Sequence, residues 1–246
     1  MALIPERNPV TTRYLAFDIE TAKVIEGESF DLQSHRPLGI ACAATLTSDS
    51  RDLKLWHGRT GEEPSPRMDR EDVRKLVDYL WTMTTDGYTV LTWNGLAFDF
   101  DILAEESDEL DRCIAIANTH VDMMFHAVCC LGHRIGIDKT AQGMGLPGKP
   151  PGMTGDKAPK MWADGRHKEV LDYVSRDVEM ALAIARSAAN QGSLSWITQR
   201  GSRRSMPLVS GWLSVEGALT LPLPDTSWMD SPPQRNEFMR WMKSAR

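Results

Sequence analysis

Two carboxylates stand two residues apart near the end of an apolar segment, YLAFDIET, which spans residues 14–21. Residues i and i+2 of a β-strand point to the same face, so a strand here places Asp18 and Glu20 side by side. Neighbouring like charges repel each other unless they share a proton or bind a divalent cation. The pair therefore indicates a metal site, provided that the rest of the chain supplies further ligands.

A second acidic segment, WNGLAFDFDIL at residues 93–103, combines an Asn-Gly turn with two aspartates. An apolar strand ends before the turn and a helix is predicted to start near Asp99. A carboxylate at this position can reach the edge of a sheet, but aspartate is also a common helix cap. Asp99 is thus either a metal ligand or a cap, and Asp101 competes with it for the first role.

A third segment places Tyr173 and Asp177 four residues apart in a predicted helix. Positions i and i+4 lie on one helix face, so the two side chains point the same way. Asp177 lies among apolar residues, and an acidic side chain is rarely buried without a partner. A half-buried tyrosine above a surface aspartate is the alternative.

Periodicity and turn signals predict the elements that would carry these side chains. Predicted strands lie at 13–19, 38–47, 53–57, 88–93 and 119–123; predicted helices at 69–84, 98–106, near 108–118, 124–131 and 165–190; and a Gly/Pro-rich loop at 143–160. The order βββαβα resembles a ribonuclease H-like fold. We therefore expect an α/β fold whose mixed sheet has three antiparallel strands followed by parallel strands, flanked by helices.

Composition indicates an ordinary globular protein of 246 residues with 41% hydrophobic and 25% charged residues. Residues 1–190 are predicted to form one domain, and residues 191–246, which are basic and then proline-rich, a C-terminal extension of undefined role. No apolar segment reaches the roughly 18 residues of a membrane span, and residues 1–12 lack a signal-peptide core, so we expect a cytoplasmic protein. Four cysteines without metal-site spacing are expected to be reduced. The net charge of -6 argues against a basic nucleic-acid coat but is compatible with a metal-dependent nuclease.

Together the three acidic segments resemble the motifs of DEDD-type 3′–5′ exonucleases of the ribonuclease H-like superfamily, in the tyrosine subclass. FDIET at residues 17–21 matches the first motif, Asn94 through Asp99 the second, and Tyr173 with Asp177 the third. The asparagine spacing is most similar to the exonuclease domains of family B DNA polymerases. The resemblance covers roughly residues 10–190.

This resemblance implies a role for each matched residue. Two divalent ions, Mg²⁺ or Mn²⁺, would be held by four carboxylates, those of Asp18, Glu20, Asp99 and Asp177. Tyr173 would orient the attacking water, since a phenol with an ordinary pKa near 10 is a poor base at neutral pH. The terminal nucleotide would be contacted by three residues whose structural alternatives are a strand-end hydroxyl, a turn residue and a core aromatic: Thr21, Asn94 and Phe98.

Two rival assignments concern the acidic residues. His167 and Asp172 have the spacing of the histidine subclass of the same superfamily, but Asp172 directly precedes Tyr173, so the two cannot face the same way. The apolar stripe around Asp177 favours the tyrosine assignment. Asp101 is expected beside the site or on the helix surface, and Asp122 at a helix cap.

The predicted function is two-metal 3′–5′ hydrolysis of single-stranded nucleic acid, DNA favoured over RNA, which releases nucleoside 5′-monophosphates. The alternatives are a catalytically silent nucleic-acid-binding or scaffolding module and an exoribonuclease of RNA maturation. Several basic side chains are candidates for contact with phosphates, although a charge run is more often a solvated face; they are Lys139, Lys149, Lys157, Lys160, Arg200, Arg203 and Arg204.

Overall fold

A five-stranded mixed sheet forms the centre of the fold in the computed structural model, which describes residues 12–25, 32–149 and 154–243. The strands, in chain order, are β1 (Tyr14–Thr21), β2 (Ile40–Thr47), β3 (Leu53–His57), the two short strands β4 (Arg59–Thr60) and β5 (Glu63–Pro64) of a separate ribbon, β6 (Thr89–Thr92) and β7 (Val121–Asp122). The order across the main sheet is β3-β2-β1-β6-β7. β1 is therefore the central strand.

The strand directions confirm the predicted sheet. β1 pairs antiparallel with β2 and β2 antiparallel with β3, whereas β6 is parallel to β1 and β7 is parallel to β6. The carboxyl ends of β1, β6 and β7 consequently lie at one edge of the sheet. Each of the three acidic segments of the sequence begins or passes at this edge.

The helices lie on both sides of the sheet, and a hairpin follows the longest of them. They are α1 (Arg70–Thr85), α2 (Asp99–Ser107), α3 (Leu110–Thr119), α4 (Met123–Leu131), α5 (Ile137–Gly143), α6 (Ala158–Ala163), α7 (His167–Gln191) and α8 (Val215–Leu219), with 3-10 helices at Leu32–His35, Gly155–Lys157 and Arg235–Lys243. The hairpin consists of β8 (Ser193–Ile197) and β9 (Arg203–Pro207). None of the helices in the described ranges is long and apolar enough to cross a membrane.

Side chains of β1 alternate between two cores. Leu15, Phe17 and Ile19 belong to a core that includes residues of α1 to α4. Ala16 faces the other way, into a core built largely on α7. Because Asp18 and Glu20 share the parity of Ala16, they face the α7 side of the sheet.

The course of α7 follows from its sequence. Its apolar residues recur every three or four positions, so one face of the helix is buried against the sheet. The helix ends at Gly192, which adopts a left-handed conformation with φ of 62° that suits glycine at a helix C-terminus. This stripe fixes the rotation of the helix and turns Tyr173 and Asp177 towards β1.

The segment after residue 190 contributes side chains to the core that includes residues of α1 to α4. Phe238 is fully buried, and its ring lies 5.2 Å from that of Phe125. Trp241 is also buried and donates a hydrogen bond of 2.7 Å from Nε1 to the carbonyl of Leu96. The predicted extension therefore packs against the turn that precedes α2.

The predicted loop at 143–160 is only partly correct. Residues 144–149 and Thr154 are irregular, but a 3-10 turn at Gly155–Lys157 leads into α6, which starts at Ala158. Residues 150–153 lie outside the described part of the chain, as do residues 1–11, where the absence of an export signal was predicted. The sequence also does not predict α5, α8, the β4–β5 ribbon or the β8–β9 hairpin.

Candidate active site

The first two acids of the site are placed by β1. Asp18 is half-buried, and Glu20 is only 5% exposed. Their partners across the antiparallel pair with β2 are Ala44 and Cys42. Both partners have small side chains and belong to the core on the α7 side of the sheet.

α7 supplies the third acid. One carboxylate oxygen from each of Asp18, Glu20 and Asp177 lies within 4.8 Å of the other two. We call these three residues the carboxylate cluster. They come from the first strand and from a helix more than 140 residues later, so the cluster depends on the packing of α7 across β1.

Burial disfavours the charged form of all three acids, and repulsion by neighbouring carboxylates adds to this effect for Asp18 and Glu20. Burial raises the pKa of Asp18 well above its usual range, and the nearby charges of Asp99, Asp177 and Glu20 raise it further. Glu20 behaves in the same way, with burial first and the charge of Asp177 second. Burial also raises the pKa of Asp177. Without a cation, the cluster therefore tends to hold protons.

The cluster fits a divalent cation on the chemistry of its donors. All the ligand atoms are carboxylate oxygens, which Mg²⁺ and Mn²⁺ prefer. Asp177 Oδ1 is buried and has no hydrogen-bond partner within the described part of the chain. A buried carboxylate oxygen without a partner is costly, and a metal ion would remove that cost.

Asp99, the fourth predicted ligand, lies next to the cluster but is not one of its three members. It is the first residue of α2 and 3% exposed, and its Oδ1 accepts a hydrogen bond of 3.0 Å from the backbone N–H of Ile19. Burial raises the pKa of Asp99 to about 7. The carboxylate thus packs against β1 between the two predicted ligands of that strand, and its metal role stays a prediction.

Asp101 has a different partner. Its carboxylate forms an ion pair with Arg36, whose guanidinium also contacts Glu105 at 2.7 Å. Asp101 is only 6% exposed, so it is a buried partner of Arg36 and not a residue of the helix surface, and its place beside the site stays a prediction.

Tyr173 lies at the cluster with its hydroxyl close to a lysine. Lys149 Nζ donates hydrogen bonds of 2.6 Å to Tyr173 Oη and of 2.6 Å to Asp177 Oδ2. Burial, followed by the charge of Asp177, raises the pKa of the Tyr173 phenol. The phenol is therefore protonated at neutral pH and can donate a hydrogen bond but cannot act as a base.

Lys149 is a site residue whose contact with the carboxylate cluster the sequence does not predict. The sequence marked it only as one of several lysines near a Gly/Pro-rich loop that could meet phosphates. Its contact with the carboxylate cluster depends on how the loop folds back over α7, and no local pattern encodes that path.

The cluster opens into a solvent-accessible cavity of about 260 Å³. Two of the predicted nucleotide contacts, Thr21 and Phe98, line this cavity, together with Trp93 and Ile137, which were not predicted. Asn94 is not among the lining residues. It adopts a left-handed backbone with φ of 71°, and its backbone N–H donates to Asp122 Oδ1 at 3.0 Å. The position of Asn94 is that of a turn residue, and its contact with substrate stays a prediction.

The rival histidine assignment places its residues elsewhere. The ring of His167 packs against that of Trp162 with 4.6 Å between centroids, and Asp172 is exposed on α7. Neither lines the cavity. Asp122, as expected, caps α4 by accepting a hydrogen bond from the N–H of Phe125.

Comparison with known proteins supports the same fold. Residues 110–200 match a family described as a predicted 3′–5′ exonuclease related to the exonuclease domain of PolB. The family B DNA polymerase from the hyperthermophilic archaeon Pyrobaculum calidifontis superimposes with a TM-score of 0.51 at 19% sequence identity, over 72% of this chain. The chain resembles the family B polymerase exonuclease domain. The predicted ribonuclease H-like fold is thereby confirmed.

Both matches cover only part of the sequences compared. The family match includes Tyr173 and Asp177. It begins at residue 110, so it does not include Asp18, Glu20 or Asp99. The chain covers 24% of the length of the archaeal polymerase. Among curated proteins, no sequence matches the chain.

Proposed function

We propose that this protein is a metal-dependent 3′–5′ exonuclease that removes nucleoside 5′-monophosphates from single-stranded nucleic acid, with DNA favoured over RNA. The observation that carries the proposal is the carboxylate cluster with Tyr173 at one open cavity. The resemblance to the family B polymerase exonuclease domain supports the polarity and the preference for DNA.

The carboxylates would hold the cations. Asp18, Glu20 and Asp177 offer oxygens around one position, and Asp99, beside Asp18, is available for a second ion. The chemistry that two such ions supply is neutralisation of the phosphate charge and acidification of a water molecule. The cluster offsets that positive charge, which matches the acidic rather than basic character of the site.

Tyr173 would position the water. Its phenol stays protonated, so it can donate a hydrogen bond to an oxygen in front of the cluster. The proton of the attacking water must therefore go to bulk solvent or to a phosphate oxygen and not to Tyr173.

The apolar lining of the cavity supports a strand terminus whose base is not read. Phe98, Trp93 and Ile137 offer faces for stacking and for contact with a sugar. Stacking tolerates any base because every base has a π-face. The Thr21 hydroxyl at the end of β1 is available for a polar contact with the terminal nucleotide.

The test is a digestion of matched single- and double-stranded DNA and RNA, each labelled at its 5′ or 3′ end, with Mn²⁺ or Mg²⁺. We expect a descending ladder from 5′-labelled single-stranded DNA and immediate release of mononucleotide from the 3′ label. Faster digestion of RNA would favour the exoribonuclease of RNA maturation.

Two substitutions on α7 form a matched pair for this test. Asp177→Ala should reduce hydrolysis below detection because it removes a ligand, and Asp18→Ala should do the same. Asp172→Ala, five residues earlier and exposed, should leave the rate within about twofold of wild type, as surface substitutions usually do. If the wild-type protein binds single strands but leaves them intact, it is a silent binding module.

A further inference from the structure

Lys149 is the one cationic side chain that enters the carboxylate cluster in the part of the chain that the structure describes. Its side chain is 21% exposed, and its ammonium bonds to both Tyr173 and Asp177. The same ammonium lies 4.5 Å from the centroid of the Tyr173 ring, within range of a cation–π contact. The ammonium thus contacts three groups: a carboxylate, a phenol oxygen and the face of an aromatic ring.

The other lysines near this loop behave differently. Lys139, Lys157 and Lys160 are all exposed, and Lys160 pairs with Asp164 on the surface at 3.4 Å. Lysine is rarely buried unless its charge is paired, because desolvation of the ammonium is costly. The charge of the cluster is what compensates Lys149.

The backbone of Lys149 is held in place from the opposite side. Its N–H donates to Asp138 Oδ1 at 2.7 Å, and the second oxygen of Asp138 accepts from Gln142 Nε2 at 2.7 Å. Gly148 passes so close to Asp138 that a Cβ on residue 148 would lie 2.5 Å from Asp138 Oδ1. The backbone is fixed at this point, whereas the flexible lysine side chain can change rotamer.

We propose that the Lys149 ammonium is a built-in counter-ion of the carboxylate cluster, which competes with metal for Asp177 and swings out when metal loads. The inference rests on the proposed function only in that the cluster binds divalent ions. Two cations a few ångströms apart repel each other strongly where little solvent screens their charges, so the ammonium and a bound ion do not share Asp177. The competition lowers metal affinity and protects the metal-free protein from repulsion among the three acids of the cluster.

The test measures Mn²⁺ binding by isothermal titration calorimetry without nucleic acid, at fixed pH and ionic strength. Lys149→Met, which keeps a four-atom apolar stem in place of that of lysine but lacks the ammonium, should bind Mn²⁺ about tenfold more tightly than wild type, a typical size for coupling between two sites. Its metal-free melting temperature should fall, and Mn²⁺ should restore it. Lys149→Arg keeps the competing charge, so its affinity should stay within about threefold of wild type.

Lys139→Met is the matched control, because Lys139 is an exposed lysine on α5 whose Nζ contacts only Gln142 at 3.5 Å among the described residues. It should bind Mn²⁺ as wild type does. Equal or weaker Mn²⁺ binding by Lys149→Met overturns the inference, since a residue that assists the metal, or is indifferent to it, gives that result.

A wild-type measurement covers the case in which Lys149→Met does not fold without metal. In protein labelled with ¹³Cε-lysine, the Lys149 signal is the one that disappears in Lys149→Arg. Addition of Mg²⁺ should move this signal towards the position of exposed lysines, and an unchanged position overturns the inference.

The two proposals fail separately. If wild type cleaves strands but Lys149→Met binds Mn²⁺ no more tightly, only the counter-ion inference is wrong. If Lys149→Met gains affinity but no variant and no wild-type protein cleaves any strand, only the exonuclease is wrong.

Discussion

At the scale of single residues, surroundings decide which chemistry Tyr173 can perform. A phenol exposed to water loses its proton near pH 10, but burial and the Asp177 charge hold the proton of Tyr173 to higher pH. The hydroxyl is therefore a permanent donor across the range in which the enzyme would work. Its spacing from Asp177 was readable in the sequence, and its protonation follows from the packing.

Tyr173→Phe tests this donor role. We expect kcat to fall about a hundredfold, the usual loss when one hydrogen bond to the reacting centre is removed. Mn²⁺ affinity should change less than about threefold, because the three carboxylates remain. Single-turnover hydrolysis and calorimetry measure the two quantities separately. A large loss of metal affinity would instead make Tyr173 a support for the cluster.

The pair Asp99 and Asp101 illustrates what a motif can and cannot specify. The register of the second motif selected Asp99, and its carboxylate lies against Ile19 of β1, whereas Asp101 pairs with Arg36. Local sequence supplied both acids within three residues of each other. The choice between them came from where β1 and Arg36 lie in space, and no window of the sequence around α2 contains either.

At the scale of elements, β7 is short but organises the turn between β6 and α2. Asp122 at its end is buried, and its carboxylate accepts hydrogen bonds from the backbone N–H groups of Asn94 at 3.0 Å and Leu96 at 2.9 Å. It also caps α4. One side chain thus fixes the path of the segment that carries Phe98 to the cavity.

Asp122→Ala should weaken strand binding more than metal binding. The substitution leaves the N–H groups of Asn94 and Leu96 without partners, so the turn and Phe98 are no longer held in one position. We expect KM for single-stranded DNA to rise about tenfold while calorimetric Mn²⁺ affinity stays within about threefold. Asp122→Asn, which keeps one acceptor oxygen, should recover part of the loss. Equal losses in both quantities would indicate general destabilisation.

The elements that the sequence predicted and those it missed differ in where their stabilisation comes from. α1 and α7 carry wide apolar stripes, so their own periodicity predicted them. α5 has seven residues, and it is stabilised by contact with the hairpin: Gly143 packs directly on the backbone of Trp196. α6 has Pro159 in its first turn, a position that favours a helix, whereas the Gly and Pro content of residues 143–160 predicts a loop.

At the scale of the whole molecule, the interior contains histidines and acids whose pKa shifts change the stability in opposite directions as the pH rises. Burial lowers the pKa of His120 and of His126 to about 4, so above pH 6.5 both are neutral in the folded state, whereas in the unfolded state they lose their remaining protons between about pH 6.5 and 7.5. Burial raises the pKa of Asp99 to about 7, and it raises the pKa of Asp18 and of Glu20 well above their usual ranges. The raised pKa values of the three acids act in the opposite direction to the lowered pKa values of the two histidines, and since the acids are more numerous, they dominate the pH dependence of stability between pH 6.5 and 8.

The sign of this dependence is unusual. An unfolded aspartate loses its proton near pH 4, whereas folded Asp99 keeps its proton until about pH 7. The folded state thus holds more protons, and its stability decreases as the pH rises. In EDTA, the melting temperature of wild type should fall between pH 6.5 and 8.

Asp99→Asn isolates the contribution of this residue. The amide oxygen can still accept the hydrogen bond from Ile19, but the side chain no longer titrates. Its melting temperature should fall less than that of wild type over the same interval, by about 2–4 °C, which corresponds to ~1 kcal/mol in a chain of this size. Parallel curves for the two proteins, measured by differential scanning calorimetry, would refute a raised pKa for Asp99.

The cluster joins β1 to a helix that is made more than 140 residues later. A growing chain that has emerged only as far as α4 holds Asp18 and Glu20 but lacks Asp177. Such an intermediate has no complete cation site, whatever the metal concentration around it. Under the proposed function, the chain gains the ability to degrade nucleic acid only once α7 has been made and has packed across β1, so a copy that has not yet reached α7 poses no hazard to the single-stranded nucleic acid around it.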